Sequence, residues 1–136
     1  MTTINIACVI DDDEIYTFAV KRIIAHAKFA DKTLFFHNGQ VALDFFVEYL
    51  KQTELLPDVI LLDINMPVLD GWQFMDAFAK LIPEIEKKIT VYIVSSSIAE
   101  EDYNKAKSIE AISDFIVKPI TVAKLQDILL QINEVQ

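Results

Sequence analysis

Hydrophobic residues in this chain alternate between short unbroken runs and longer stripes spaced three and four apart. The runs fall at residues 4–10, 33–36, 59–62, 89–94 and 115–117, each too short for a helix and bounded by turn-forming or charged residues. They predict five strands. In the first helical pattern between them, Ile15, Phe18, Ala19, Ile23 and Ala27 share the expected inner face. The second places Ala42, Phe45, Phe46, Tyr49 and Leu50 inward, with Asp44 and Glu48 opposite. The third opens at Asp70-Gly71, turns Phe74, Met75, Phe78 and Leu81 inward, and ends at or just before Pro83. A weaker pattern over residues 99–109 directs Tyr103 and Ala106 inward. A last helix starts at Thr121 as its cap and carries Val122, Leu125, Ile128, Leu129 and Ile132 as its apolar stripe. Five repeats of strand then helix predict an α/β fold: a doubly wound, five-stranded parallel sheet with five helices covering both faces. No linker, repeat or low-complexity segment interrupts the alternation, so the expectation is one domain over residues 1–136.

The third run lies between Pro57 and Pro67 and is apolar throughout, as a strand buried on both faces must be. Asp63 stands where it stops. In open parallel sheets, ligands bind outside the carboxyl ends of the strands. The first strand ends in Asp11 and Asp12, the fourth in Ser95 and the fifth in Lys118, so parallel strands bring all of these to one edge. Singly, each residue has an ordinary role. The acidic run 11–14 suits a helix start, Ser95 a turn, and Lys118 before Pro119 a solvated loop. Together they form a site.

Two carboxylates about 4 Å apart repel by about 1 to 4 kcal/mol, depending on the local dielectric. Three in one pocket therefore call for a cation. Oxygen donors without Cys or His favour a hard divalent ion, most simply Mg²⁺. A metal, a lysine and a hydroxyl around an aspartate are what phosphoryl transfer onto Asp63 needs.

Composition narrows the partners. The chain has 136 residues and a net charge of −9, which disfavours nucleic acid and anionic membranes. It has no apolar stretch of membrane-spanning length and no signal-peptide pattern, and a cytoplasmic location is expected. The single cysteine, Cys8, lies in an apolar run and reads as a small buried hydrophobe. His26 and His37 lack metal-site spacing and read as surface or partly buried polar residues.

The residues Val9-Ile10-Asp11-Asp12-Asp13, Asp63-Ile64-Asn65-Met66-Pro67, Asp70-Gly71, Val94-Ser95 and Lys118-Pro119 resemble the receiver domain of two-component response regulators, over essentially the whole chain. The resemblance implies a flavodoxin-like strand order 2-1-3-4-5. It implies that Asp63 accepts a phosphoryl group from the phosphohistidine of a sensor histidine kinase or a histidine phosphotransfer protein. Asp12 and Asp63 would bind Mg²⁺ directly, Asn65 through its backbone carbonyl, and Asp11 largely through water. Asp13, one place past the acidic pair, would open the helix. Ser95 would hydrogen-bond the phosphoryl group and Lys118 would pair with it. Ser95 and Phe115 would form the switch, the ring turning inward as the hydroxyl moves toward the phosphoryl group. Asn65 and Ser97 occupy positions that the family uses to set the rate of hydrolysis. Such a protein is no enzyme in the ordinary sense, but a phosphoacceptor that assists its own phosphorylation and dephosphorylation.

Three features depart from the family pattern. Phe115 lacks the hydroxyl of the tyrosine often found there, Glu110-Ala111-Ile112-Ser113 replaces a usual Gly-Ala pair, and the connections before strands three and four are long. One helix follows Lys118-Pro119, so a stand-alone receiver without output domain is expected, similar to a chemotaxis regulator and acting on a separate protein through residues 98–136. An aspartate-nucleophile phosphohydrolase of the haloacid dehalogenase type is disfavoured, because its general-acid position holds Asn65 and the acidic pair comes first in the chain. A pseudo-receiver is disfavoured because Asp11, Asp12, Asp63, Ser95 and Lys118 are all present.

Overall fold

The hydrophobic runs become the strands β1 (Ile4–Ile10), β2 (Ala30–Phe36), β3 (Val59–Leu62), β4 (Thr90–Ser95) and β5 (Ile112–Val117) of the computed structural model, which describes residues 4–134. The helices are α1 (Glu14–Ala27), α2 (Gly39–Glu48), α3 (Gly71–Leu81), α4 (Glu100–Ser108) and α5 (Val122–Glu134). All strand pairs are parallel, in the order β2-β1-β3-β4-β5. Because side chains alternate along a strand, each strand feeds two cores. Ala7, Val9, Val59, Leu61, Tyr92 and Val94 pack under α1 and α5. Cys8, Ile10, Ile60, Leu62, Val91 and Ile93 pack under α2, α3 and α4. The central strand β3 is buried at every residue, as its unbroken apolar run requires.

Two strands are longer than their hydrophobic patterns. β2 starts at Ala30 and β5 at Ile112, three residues earlier than expected in each case. Both are edge strands, and Asp31, Lys32, Ser113 and Asp114 hide the apolar signal there. Pairing decides these boundaries: Ile4 and Ile6 of β1 lie opposite Ala30 and Lys32.

The inner face of α1 also differs from expectation. Ile23 and Ala27 pack inward as expected, joined by Val20 and Ile24, whereas Ile15 (84% exposed), Phe18 (60%) and Ala19 face outward. Apolar residues also stand outside the inner face of this helix, at Ile15, Phe18 and Ala19, so its periodicity offers two competing stripes. Packing settles the choice, with Val20, Ile24 and Ala27 in the core under the sheet, while Asp13 fixes the helix start by accepting hydrogen bonds from the Ile15 and Tyr16 amides. Tyr103, expected inward on α4, is 45% exposed and lies edge-on to Phe115, 6.0 Å between ring centroids. Ala106 alone forms the buried stripe of that helix, which leaves Tyr103 at the rim.

The long connections before β3 and β4 clip one another. Lys87 Nζ donates to the carbonyls of Thr53 (3.2 Å) and Leu56 (2.6 Å) and pairs with Asp58 at 3.2 Å. Asp58 in turn accepts from the Ile6 amide at 3.0 Å. Among the described residues, no helix is long and apolar enough to cross a membrane.

Candidate functional site

At the carboxyl edge of the sheet, the ladder of backbone hydrogen bonds runs one residue beyond the strands. Asp11 N donates to Phe36 O (3.0 Å), Asp63 N to Ile10 O (3.0 Å) and Lys118 N to Ser95 O (2.8 Å). Each functional side chain therefore leaves a backbone anchored by the neighbouring strand. By strand alternation Asp11, Asp63 and Lys118 stand on the α1/α5 side, and Ser95 on the α4 side with Ile93 and Phe115.

Among the described residues, those that are polar or charged and buried are Asp11 (3% exposed), Asp63 (6%) and Ser95 (0%). Buried carboxylates are rare unless paired, so two of them side by side mark this edge as the chemically loaded part of the molecule. Asp12 is exposed but joins them: one carboxylate oxygen from each of Asp11, Asp12 and Asp63 falls within a span of 4.8 Å.

The two buried carboxylates are unequally served. Asp11 Oδ1 accepts from Asp13 N at 2.9 Å, and its Oδ2 lies 2.8 Å from Lys118 Nζ. Asp63 Oδ1 accepts from Asn65 N only at 3.5 Å, and its Oδ2 is 3.7 Å from Lys118 Nζ. Burial, reinforced by the charge of Asp11, pushes the Asp63 carboxyl up to about 6, with Lys118 and the amides of Asn65 and Ile64 pulling the other way. Asp63 is thus a carboxylate short of positive charge, facing two others. That all-oxygen, under-neutralised donor set fits a hard divalent cation and offers nothing to a soft one.

Close backbone packing keeps Asp63 in place. Asp70 caps α3 and forms a capping box with Gln73, and Gly71 N donates to Ile64 O at 3.0 Å. A Cβ on Gly71 would lie 2.6 Å from Asp63 O, so only glycine lets the helix start this near the strand end. Between them, Leu69 N donates to Pro67 O at 2.8 Å across Val68, whose φ of 68° is costly for a β-branched residue.

The remaining expected residues divide into two groups. Ser95 is fully buried, and its Oγ accepts from Ser97 N at 3.1 Å. Ser97 Oγ accepts from Ala99 N at 3.2 Å and donates to Asp102 of α4 at 2.6 Å. Phe115 is half-buried opposite Ile93, two residues before Ser95 on the same face of the sheet. Asn65 is exposed and reaches the site through its backbone. Asp13 is the helix cap expected of it, Cys8 is buried, and His26 and His37 lie on the surface.

Two residues of this region escaped sequence reasoning. Tyr16 places its ring 4.1 Å from Lys118 Nζ. It follows the Asp13 cap by three residues, a spacing that puts it on the first turn facing the strand ends. Asp102, reached by Ser97, lies among three acidic residues at the start of α4 and carries no distinguishing signal.

Residues 7–130 match the family model of the response regulator receiver domain. The chain is similar to the probable methanogenesis regulatory protein FilR2 of Methanothrix harundinacea, at 22% identity over 95% of this chain and 81% of the relative. It is also similar to the transcriptional regulatory protein PrrA of Mycobacterium leprae, at 30% identity over 86% of this chain, and spans only 45% of that protein's length. A two-component response regulator from Cytophaga hutchinsonii superposes with a TM-score of 0.88 at 27% identity, covering 98% of this chain and 99% of the other. A receiver protein from Dyadobacter fermentans shares the fold with a TM-score of 0.79 at 23% identity, over 93% and 95% of the two chains.

Proposed function

The chain belongs to the family of response regulator receiver domains, and from that membership we propose that Asp63 is its phosphoacceptor, charged by the phosphohistidine of a sensor histidine kinase or a histidine phosphotransfer protein. The observation that carries this reading is a buried Asp63 without full-strength partners, set against Asp11, Asp12 and Lys118. An Asp63 oxygen attacks phosphorus in line. The new O–P bond forms as the N–P bond breaks, and the imidazole leaves with the electron pair.

Asp11, Asp12 and Asp63, with the carbonyl of Asn65, would hold a divalent cation, most simply Mg²⁺, which would supply positive charge to offset that of the phosphoryl oxygens. Lys118 moves from Asp11 toward the phosphoryl group, a short step given that it already lies between the two carboxylates. The Ser95 hydroxyl turns from the Ser97 amide to donate to the same group. That movement opens space on the face it shares with Phe115, and the ring rotates inward. The changed surface of α4, β5 and α5 then selects a protein partner, provided that partner has unequal affinity for the two states.

Intact mass after incubation with acetyl phosphate and Mg²⁺ tests the reading. One added phosphoryl group is expected in the wild type, and none in Asp63→Asn or with EDTA. Phosphorylation that persists in Asp63→Asn sinks the assignment. Failure to label the wild type and to bind beryllofluoride with Mg²⁺ sinks the phosphoacceptor reading itself.

A further inference from the structure

Tyr16 brings its ring to Lys118, and its hydroxyl is buried with no hydrogen-bond partner among the described residues. A buried hydroxyl left unpaired is costly, so hydrogen bonding is not what places this side chain. Its ring has a partner instead: the Lys118 ammonium, 4.1 Å from the ring centroid. That ammonium is then bounded by three groups, Asp11 at 2.8 Å, Asp63 at 3.7 Å and the ring. A lysine side chain has a flexible four-carbon stem and many rotamers. The ion pair with Asp11 fixes one end of its range, and the ring is the one apolar boundary among these three contacts.

We propose that Tyr16 is a positioning residue for Lys118, its ring confining the ammonium to the short arc between Asp11 and Asp63. The ring is suited to this because burial and the charges of Asp11 and Asp63 hold its phenol neutral, well above the usual tyrosine range. The consequence for phosphoryl transfer rests on the phosphoacceptor reading of Asp63; the confinement itself does not.

The test separates ring from hydroxyl and placement from chemistry. The ε-methylene signals of Lys118, identified by their loss in Lys118→Met, are recorded by NMR in metal-free wild type, Tyr16→Phe and Tyr16→Leu. A ring over the ammonium shields these protons. Upfield signals are expected in wild type and Tyr16→Phe, and exposed-lysine positions in Tyr16→Leu. Labelling by acetyl phosphate should slow roughly tenfold in Tyr16→Leu and recover in Tyr16→Phe, since a desolvated cation–ring contact is of that order. Unshielded Lys118 signals in the wild type, or Tyr16→Leu labelling as fast as wild type, overturn the proposal. If no variant labels but the Lys118 signals follow the ring, the confinement stands and the phosphoacceptor reading falls.

Discussion

Lys118 is bonded more closely to Asp11 than to Asp63, at 2.8 Å against 3.7 Å. The lysine thus neutralises Asp11 and leaves Asp63 charge-poor. Asp11→Asn removes one cause of the raised Asp63 value and frees Lys118 to approach, and both changes act in the same direction. In metal-free protein the Asp63 carboxyl should titrate below 6 in Asp11→Asn and above 6 in Lys118→Met. Carbon-13 titration of the carboxyl resonances checks both signs, and a shift of the same sign in the two variants would contradict the geometry.

Asp63 also makes stability depend on pH. Its folded value of about 6 lies above the ordinary 3.8, so between those values the folded state holds a proton that the unfolded state has released. Its contribution is a cost well above pH 6, shrinks as pH falls through 6, and vanishes below the unfolded value. Metal-free wild type should therefore gain stability from this group on acidification. Asp63→Asn should lack that component and exceed wild type at alkaline pH by about 1–3 kcal/mol. Urea titrations in EDTA across pH 4 to 8 measure this, and a variant less stable than wild type at pH 8 would refute it.

Ser97 links the buried Ser95 to helix α4, accepting from Ala99 N and donating to Asp102. The N-cap position of α4, Ala99, has no side-chain cap of its own. Ser97→Ala should cost about 1 kcal/mol locally and speed amide hydrogen exchange at residues 99–103, while Ser97→Thr retains most of the protection. Unchanged exchange in Ser97→Ala would show that the link carries no stability.

Gly71→Ala forces a Cβ to within 2.6 Å of Asp63 O and 2.7 Å of the Ile64 Cα. Both are backbone atoms at the end of a buried strand and yield little. The expected loss is about 2–3 kcal/mol in urea unfolding, with displaced Asp63 and Asn65 amide resonances. Full stability with unmoved resonances would mean that α3 can shift away freely.

Lys87 holds the two long connections together through Thr53 O, Leu56 O and Asp58. Lys87→Met should cost about 2 kcal/mol, mostly from acceptors that lose their donor, since the pair with Asp58 is partly exposed and screened. A double-mutant cycle with Asp58→Asn should show that the ion pair is the smaller share; a coupling as large as the whole loss would reverse that ranking.

The order of strands and helices, the two-sided burial of β3 and the placing of Asp11, Asp12, Asp63, Ser95 and Lys118 at the strand ends were all legible along the chain. Unbroken apolar runs are readable without neighbours, and polar residues at their ends stand out because the ends are where such runs must stop. Tertiary structure decided the rest. Which stripe of α1 faces the sheet depended on packing, because Ile15 and Phe18 are as apolar as Val20 and Ile24. The starts of β2 and β5 depended on ladder bonds to their neighbours rather than on their half-polar sequences. The division of labour within the site, with Lys118 held by Asp11 and covered by Tyr16 while Asp63 stays short of charge, depends on ångström differences between groups from separate elements. Coulomb and hydrogen-bond energies change steeply over such differences, and no spacing along a chain encodes them.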